Sequence, residues 1–75
     1  MLTFEIRPDG DEIEIHGDRE GFLELARALT DLATKGEFDH DHLMTPDWGG
    51  SGLTNVKQGL DNRLVHHVKV MFWPE

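Results

Sequence analysis

The run Asp18-Arg19-Glu20-Gly21-Phe22-Leu23-Glu24-Leu25-Ala26-Arg27-Ala28-Leu29-Thr30-Asp31-Leu32-Ala33-Thr34-Lys35 decides how this chain folds. Phe22, Leu25, Ala26, Leu29, Leu32 and Ala33 recur at spacings of three and four, which gathers them into one apolar stripe on a helix. Arg19, Glu24, Arg27, Asp31 and Lys35 fall off that stripe. Asp18 suits the N-cap, where its carboxylate accepts from a free first-turn amide, and Glu20 suits the positive helix end. Lys35 suits the negative end and Gly36 the C-cap. The pattern predicts a helix over about 18–35, the only convincing one in the sequence.

Outside the helix the apolar residues alternate. Leu2, Phe4 and Ile6 interleave with Thr3, Glu5 and Arg7, and Ile13 and Ile15 interleave with Glu12, Glu14 and His16. That period of two predicts strands over about 2–7 and 12–16. Pro8-Asp9-Gly10-Asp11 between them is turn chemistry, so the pair reads as an antiparallel hairpin. A third strand is expected over about 37–44, with Phe38, His40, His42 and Met44 on one side and Asp39, Asp41 and Leu43 on the other; which side is buried stays open. The last strand is expected over 64–73, Leu64, His66, Val68, Val70 and Phe72 facing one way and Val65, His67, Lys69, Met71 and Trp73 the other, with Pro74 ending it.

The order β-β-α-β-β predicts an α+β fold in a single domain, residues 1–75: a four-stranded antiparallel sheet with one helix packed on one face. The uncovered face would carry Thr3, Glu5, Arg7, Glu12, Glu14 and His16, joined by Met71 and Trp73. Either that face is a partner surface, or the long loop over 45–63 folds across its apolar part.

That loop begins Thr45-Pro46-Asp47-Trp48-Gly49-Gly50-Ser51-Gly52. Pro46 fixes one backbone angle and pushes Thr45 towards an extended shape, while the glycines accept angles that other residues resist. Trp48, held out of any regular element, either anchors the loop to the core or stands out as an interface contact. Asp47 beside it would favour a basic contact in the second case.

Composition narrows the function. Fifteen acids against seven bases give a net charge of −8, which argues against nucleic acid and against an anionic membrane surface. Thirteen of the acids but only four of the bases fall in residues 1–47, and such an excess either keeps the protein dissolved or steers a basic protein partner. With no cysteine there is neither a disulfide framework nor a thiolate metal site. No apolar run is long enough to span a bilayer, and Met-Leu-Thr-Phe-Glu lacks the basic and apolar regions of a secretory signal, so a cytoplasmic protein is expected.

Little in the sequence points to catalysis or a cofactor. Ser51, in Gly49-Gly50-Ser51-Gly52, lacks the spacing and the preceding strand of a nucleophile elbow, and the same glycines lack the lysine of a phosphate-binding loop. His40, Asp41 and His42, with His66 or His67, supply ligand types suited to a divalent metal, so a small metal-binding domain is one alternative to a protein binder. A second is a self-associating module, a homodimer that buries Met71 and Trp73 against another copy.

The string His42-Leu43-Met44-Thr45-Pro46-x-Trp48-Gly49-Gly50-x-x-Leu53-Thr54 resembles the immunity protein 32 family of bacterial polymorphic toxin systems. The preceding helix rich in Leu and Ala, and Asp61-Asn62-x-Leu64-Val65-x-His67 near the end, strengthen the likeness. It runs from the second strand to the end, with residues 1–7 outside it, and departs from the pattern at Gly52, where an acidic residue is common. The resemblance implies a non-catalytic α+β protein that binds and neutralises a cognate toxin. An acidic domain with exposed aromatics would suit the basic cleft of a nuclease-like toxin. The residues expected to touch a partner are His42, Thr45, Asp47, Trp48, Met71 and Trp73.

Overall fold

The computed structural model describes residues 1–75. In chain order the elements are β1 (Leu2–Ile6), β2 (Ile13–Gly17), α1 (Arg19–Ala33), β3 (Asp39–Met44), a 3₁₀ turn at Pro46–Trp48, β4 (Arg63–Leu64) and β5 (His67–Phe72). The class is α+β, but the expected single four-stranded sheet is two sheets: β2-β1-β4 and β3-β5, every pairing antiparallel.

The division arises within the stretch expected to be one last strand. Val65 N–H donates to the Phe4 carbonyl at 2.9 Å, whereas the His66 carbonyl accepts from Thr45 N–H at 3.0 Å. The chain thus leaves the edge of β1 and joins β3 within two residues, and β4 and β5 belong to different sheets. Alternating hydropathy carries no mark of such a change of neighbour.

The long loop ties the two sheets together. Met44 N–H donates to Ser51 O, Leu53 N–H to Met44 O and Thr54 N–H to Leu2 O, at 2.9, 3.2 and 2.8 Å. Leu2 N–H returns a bond to Thr54 Oγ1 at 3.2 Å. Gly50 lies so close to β3 that an added Cβ would stand 2.5 Å from Met44 Cβ, so only glycine fits there. Leu53, drawn inward by these bonds, joins Leu2 and Leu43 in the core, with Phe4, Leu25, Val68 and Val70 packed around them.

The helix begins as its capping residue dictates, Asp18 Oδ1 accepting from Gly21 N–H at 2.8 Å. Its buried face is rotated from the expected stripe. Gly21 and Leu32 are buried and Leu25 and Ala28 half-buried, while Phe22, Ala26, Leu29 and Ala33 lie exposed. Gly21 explains the rotation: a Cβ there would meet the Met1 carbonyl oxygen at 1.9 Å, so the missing side chain lets the helix seat on the end of β1.

The polar face of the hairpin is not open either. Thr3 and Glu5 are 0% exposed, covered by the loop at Gln58–Asn62. Glu5 accepts from Gln58 N–H at 2.8 Å, Gly59 N–H at 2.9 Å and Asn62 Nδ2 at 3.0 Å, as well as from the Thr3 hydroxyl. Asn62 extends the network, donating to Glu14 Oε1 at 2.9 Å and accepting from Arg7 Nη1 at 2.8 Å. His16 Nε2 lies 2.8 Å from the same Glu14 oxygen. The expected acidic partner surface on this side is therefore covered at Thr3 and Glu5, by polar bonds rather than by the apolar packing considered from sequence, while Arg7, Glu14 and His16 stay half-buried and Glu12 exposed.

Candidate partner-binding face

The register of β3 against β5 resolves which way each residue points. His40 lies opposite Met71, His42 opposite Lys69 and Met44 opposite His67, so these six share one face. Leu43, Val68 and Val70 take the other face, against the core. α1 packs on the core side, and the outer face of the ribbon is open except at its Met44 end, where Gly50 closes on the Met44 side chain.

Aromatic rings run along that uncovered face. At one end Phe38 and Trp73 meet with centroids 4.6 Å apart. His40 and His42 follow edge to face at 4.9 Å, and His42 stacks on His67 at 5.0 Å. At the other end the 3₁₀ turn lays Trp48 flat on His66, 5.8 Å between centroids with planes 4° apart, and 6.3 Å from His67. Trp48 is 59% exposed and Trp73 71%, and Phe38 and Met71 are exposed as well. Trp48 is accordingly a surface residue; its role as a core anchor is excluded.

The turn that carries Trp48 is built by Thr45. Its carbonyl accepts from Trp48 N–H at 2.9 Å and from Gly50 N–H at 3.3 Å, and its hydroxyl lies 2.7 Å from His66 Nδ1. Gly49 closes the turn with φ at 77°, in the left-handed region where glycine is unstrained. Thr45 is 0% exposed, so it positions the turn and cannot itself touch a partner, which corrects its place among the expected contacts. Asp47 is exposed at the rim, its N–H donating to Asn55 Oδ1 at 3.3 Å. His42, Asp47, Trp48, Met71 and Trp73 thus lie on or beside one surface.

The electrostatics of this face differ from the acidic aromatic patch expected from composition. Lys69 and the imidazoles of His40, His42 and His67 line it, and Asp47 stands only at its edge. Lost hydration, followed by the positive neighbours His40, His67 and Lys69, lowers the pKa of His42 against the opposing pull of Asp41. His42 Nδ1 and His67 Nε2 are 2.8 Å apart, a bond that requires one ring nitrogen to donate and the other to keep its lone pair. Lys69 is the fixed cation on this face, and the lowered pKa of His42 favours its uncharged ring.

Asp41 lies on the opposite face of β3 from His40 and His42, and no three His, Asp or Glu side chains are gathered to hold a metal ion. His66, His67, Lys69 and Phe38 were absent from the expected contacts, because only the pairing of β3 with β5 brings them beside His42 and Trp73. No helix is long and apolar enough to cross a membrane.

Comparison with known proteins gives one result. The family model described as Immunity protein 32 matches residues 12–71, from β2 through most of β5, and leaves β1 outside. No curated protein and no solved structure matches the chain. Spanning four-fifths of its length, that match establishes that the chain belongs to the immunity protein 32 family.

Proposed function

We propose that this protein neutralises a cognate bacterial toxin by binding it directly, without catalysis, and that the outer face of the β3–β5 ribbon makes the contact. The observation that carries the reading is the uncovered row of Trp73, Phe38, Met71, His42 and Trp48 on one side of the ribbon. Exposed tryptophans set among other aromatic and apolar side chains are the usual composition of an interface core, where a few aromatic side chains dominate affinity. Family membership supplies the kind of partner, a toxin. The net charge of −8 supports a basic one, drawn in at long range by the acids outside the face. On this reading the two proteins meet in the cytoplasm.

The test is calorimetric titration against the toxin encoded beside this gene. Wild-type protein should form a stoichiometric complex and abolish the toxin's activity. Trp73→Ala, exposed and outside the core, should stay folded and bind about tenfold more weakly or worse, the loss expected at an interface hot spot. Absence of binding by the wild type would end the reading. Wild-type affinity in both Trp73→Ala and Trp48→Ala would move the contact to another surface.

A further inference from the structure

The outer edge of β2 has no neighbour, since its sheet runs β2-β1-β4. Arg7 N–H donates to Glu12 O at 2.9 Å and Asp18 N–H to Met1 O at 3.2 Å, which fixes the bonded pairs of the hairpin. By the alternation of an antiparallel ladder, Glu12, Glu14 and His16 turn their backbone groups towards β1. Ile13, Ile15 and Gly17 turn theirs to the free edge. The isoleucine side chains there are 63% and 47% exposed, over an apolar floor that continues into Phe4, Ile6, Val65 and Val68 and ends at His67. At the end of the strand the Phe22 ring lies over Gly17, where an added Cβ would meet it at 3.0 Å.

We infer that a second copy of this chain docks on that edge, β2 against β2 and antiparallel, about a two-fold axis through Ile15. One register satisfies the side chains on both faces. With Ile15 opposite Ile15 of the second copy, Glu14 stands opposite His16 and Ile13 opposite Gly17. The Phe22 ring that covers Gly17 then also covers Ile13 of the second copy, the more exposed of the two isoleucines. Sliding one strand by two residues either way cuts the paired stretch of the five-residue β2 to three residues, and in one direction it also sets Glu14 against Glu14, like charges whose opposition destabilises a strand pair. The match of one patch with itself is the requirement for a closed two-fold dimer, and pairing satisfies an edge that would otherwise template aggregation. Of the histidine–tryptophan face only His67 borders this floor, and the substitutions that test the pairing alter no residue of that face, so its failure and that of toxin binding are read separately.

Sedimentation of the full chain at physiological salt, with protein up to about 1 mM, should show a mass rising from monomer towards dimer by mass action. Ile15→Lys, at an exposed position, should remain monomeric with an unchanged circular dichroism spectrum. Because the chain has no cysteine, register can be read by oxidation. Ile15→Cys should crosslink to a disulfide dimer, the bonded pair placing the two Cα atoms about 5.5 Å apart. Ile13→Cys, opposite Gly17, should not. A wild type that is monomeric throughout, or crosslinking through Ile13→Cys in preference to Ile15→Cys, would overturn the proposal and leave the edge to a strand of another protein.

Discussion

Glu5 is the most consequential single residue for the fold. Burial alone would raise its pKa, but the bonds from Thr3, Gln58, Asn62 and Gly59 outweigh that and lower it from 4.5 to about 2. The folded state therefore binds the charged form, and the stability this contributes is complete above the unfolded value of 4.5 and lost as pH falls towards 2. Urea midpoints measured through that window should fall steeply for the wild type. Glu5→Gln should unfold about 2–3 kcal/mol more easily at neutral pH, because its amide turns a donor towards donors, and its midpoint should vary less with acid. Trp48 is the opposite case. A buried anchor truncated to alanine would cost about 3 kcal/mol or more, but a ring stacked in solvent on one imidazole stands to lose about 1 kcal/mol. Trp48→Ala should accordingly fold, with a urea midpoint close to the wild type.

Among the elements, the β3–β5 ribbon is tuned to neutral pH. His42 has a lowered pKa, so the fold prefers its neutral form: the charged ring loses hydration here and stands beside Lys69. The ribbon should lose stability as pH falls below the ordinary 6.5. Hydrogen exchange, corrected for intrinsic rates, should then accelerate in β3 and β5 while the β1–β2 hairpin, held by the charged Glu5, stays protected. His42→Phe keeps a ring in the stack and cannot protonate, and it should remove most of that difference. The one last strand expected over 64–73 is two, β4 and β5, but the helix and the first three strands were legible in the sequence to within a residue or two, since period and capping are local properties. Their partners were not. Val65 and His66 look like consecutive residues near the start of one strand, yet their backbone bonds go to different sheets, and Glu5 reads as a solvent-facing residue until Asn62 arrives from 57 positions away. Five of the six expected contact residues do lie on or beside one face because strand alternation and a proline-glycine turn are also local signals. Thr45 was misjudged because a hydroxyl that builds a turn and one that meets a partner look alike in sequence.

At the scale of the whole molecule, two small sheets in place of one make an extended body. It measures 39 × 25 × 23 Å with a radius of gyration of 13.0 Å, where a compact chain of this length would have about 11 Å. The shape separates two jobs that composition merges. Asp9, Asp11 and Glu12 lie exposed on the hairpin turn and Glu20, Glu24 and Asp31 on the helix, whereas the ribbon's outer face holds aromatics, imidazoles and Lys69. Charge outside a contact acts on the encounter, through a field that salt screens over about 10 Å. Apolar side chains inside a contact act on the lifetime of the complex. For a basic toxin bound on the ribbon, stopped-flow measurements should therefore show association slowing by about tenfold or more between low and high salt, with dissociation little changed. Trp73→Ala should do the reverse, leaving association and its salt dependence intact while shortening the complex lifetime. A dissociation rate that climbs as steeply with salt as the association rate drops would mean that the acids themselves sit in the interface, and that the toxin grips the helix and hairpin turn instead of the ribbon.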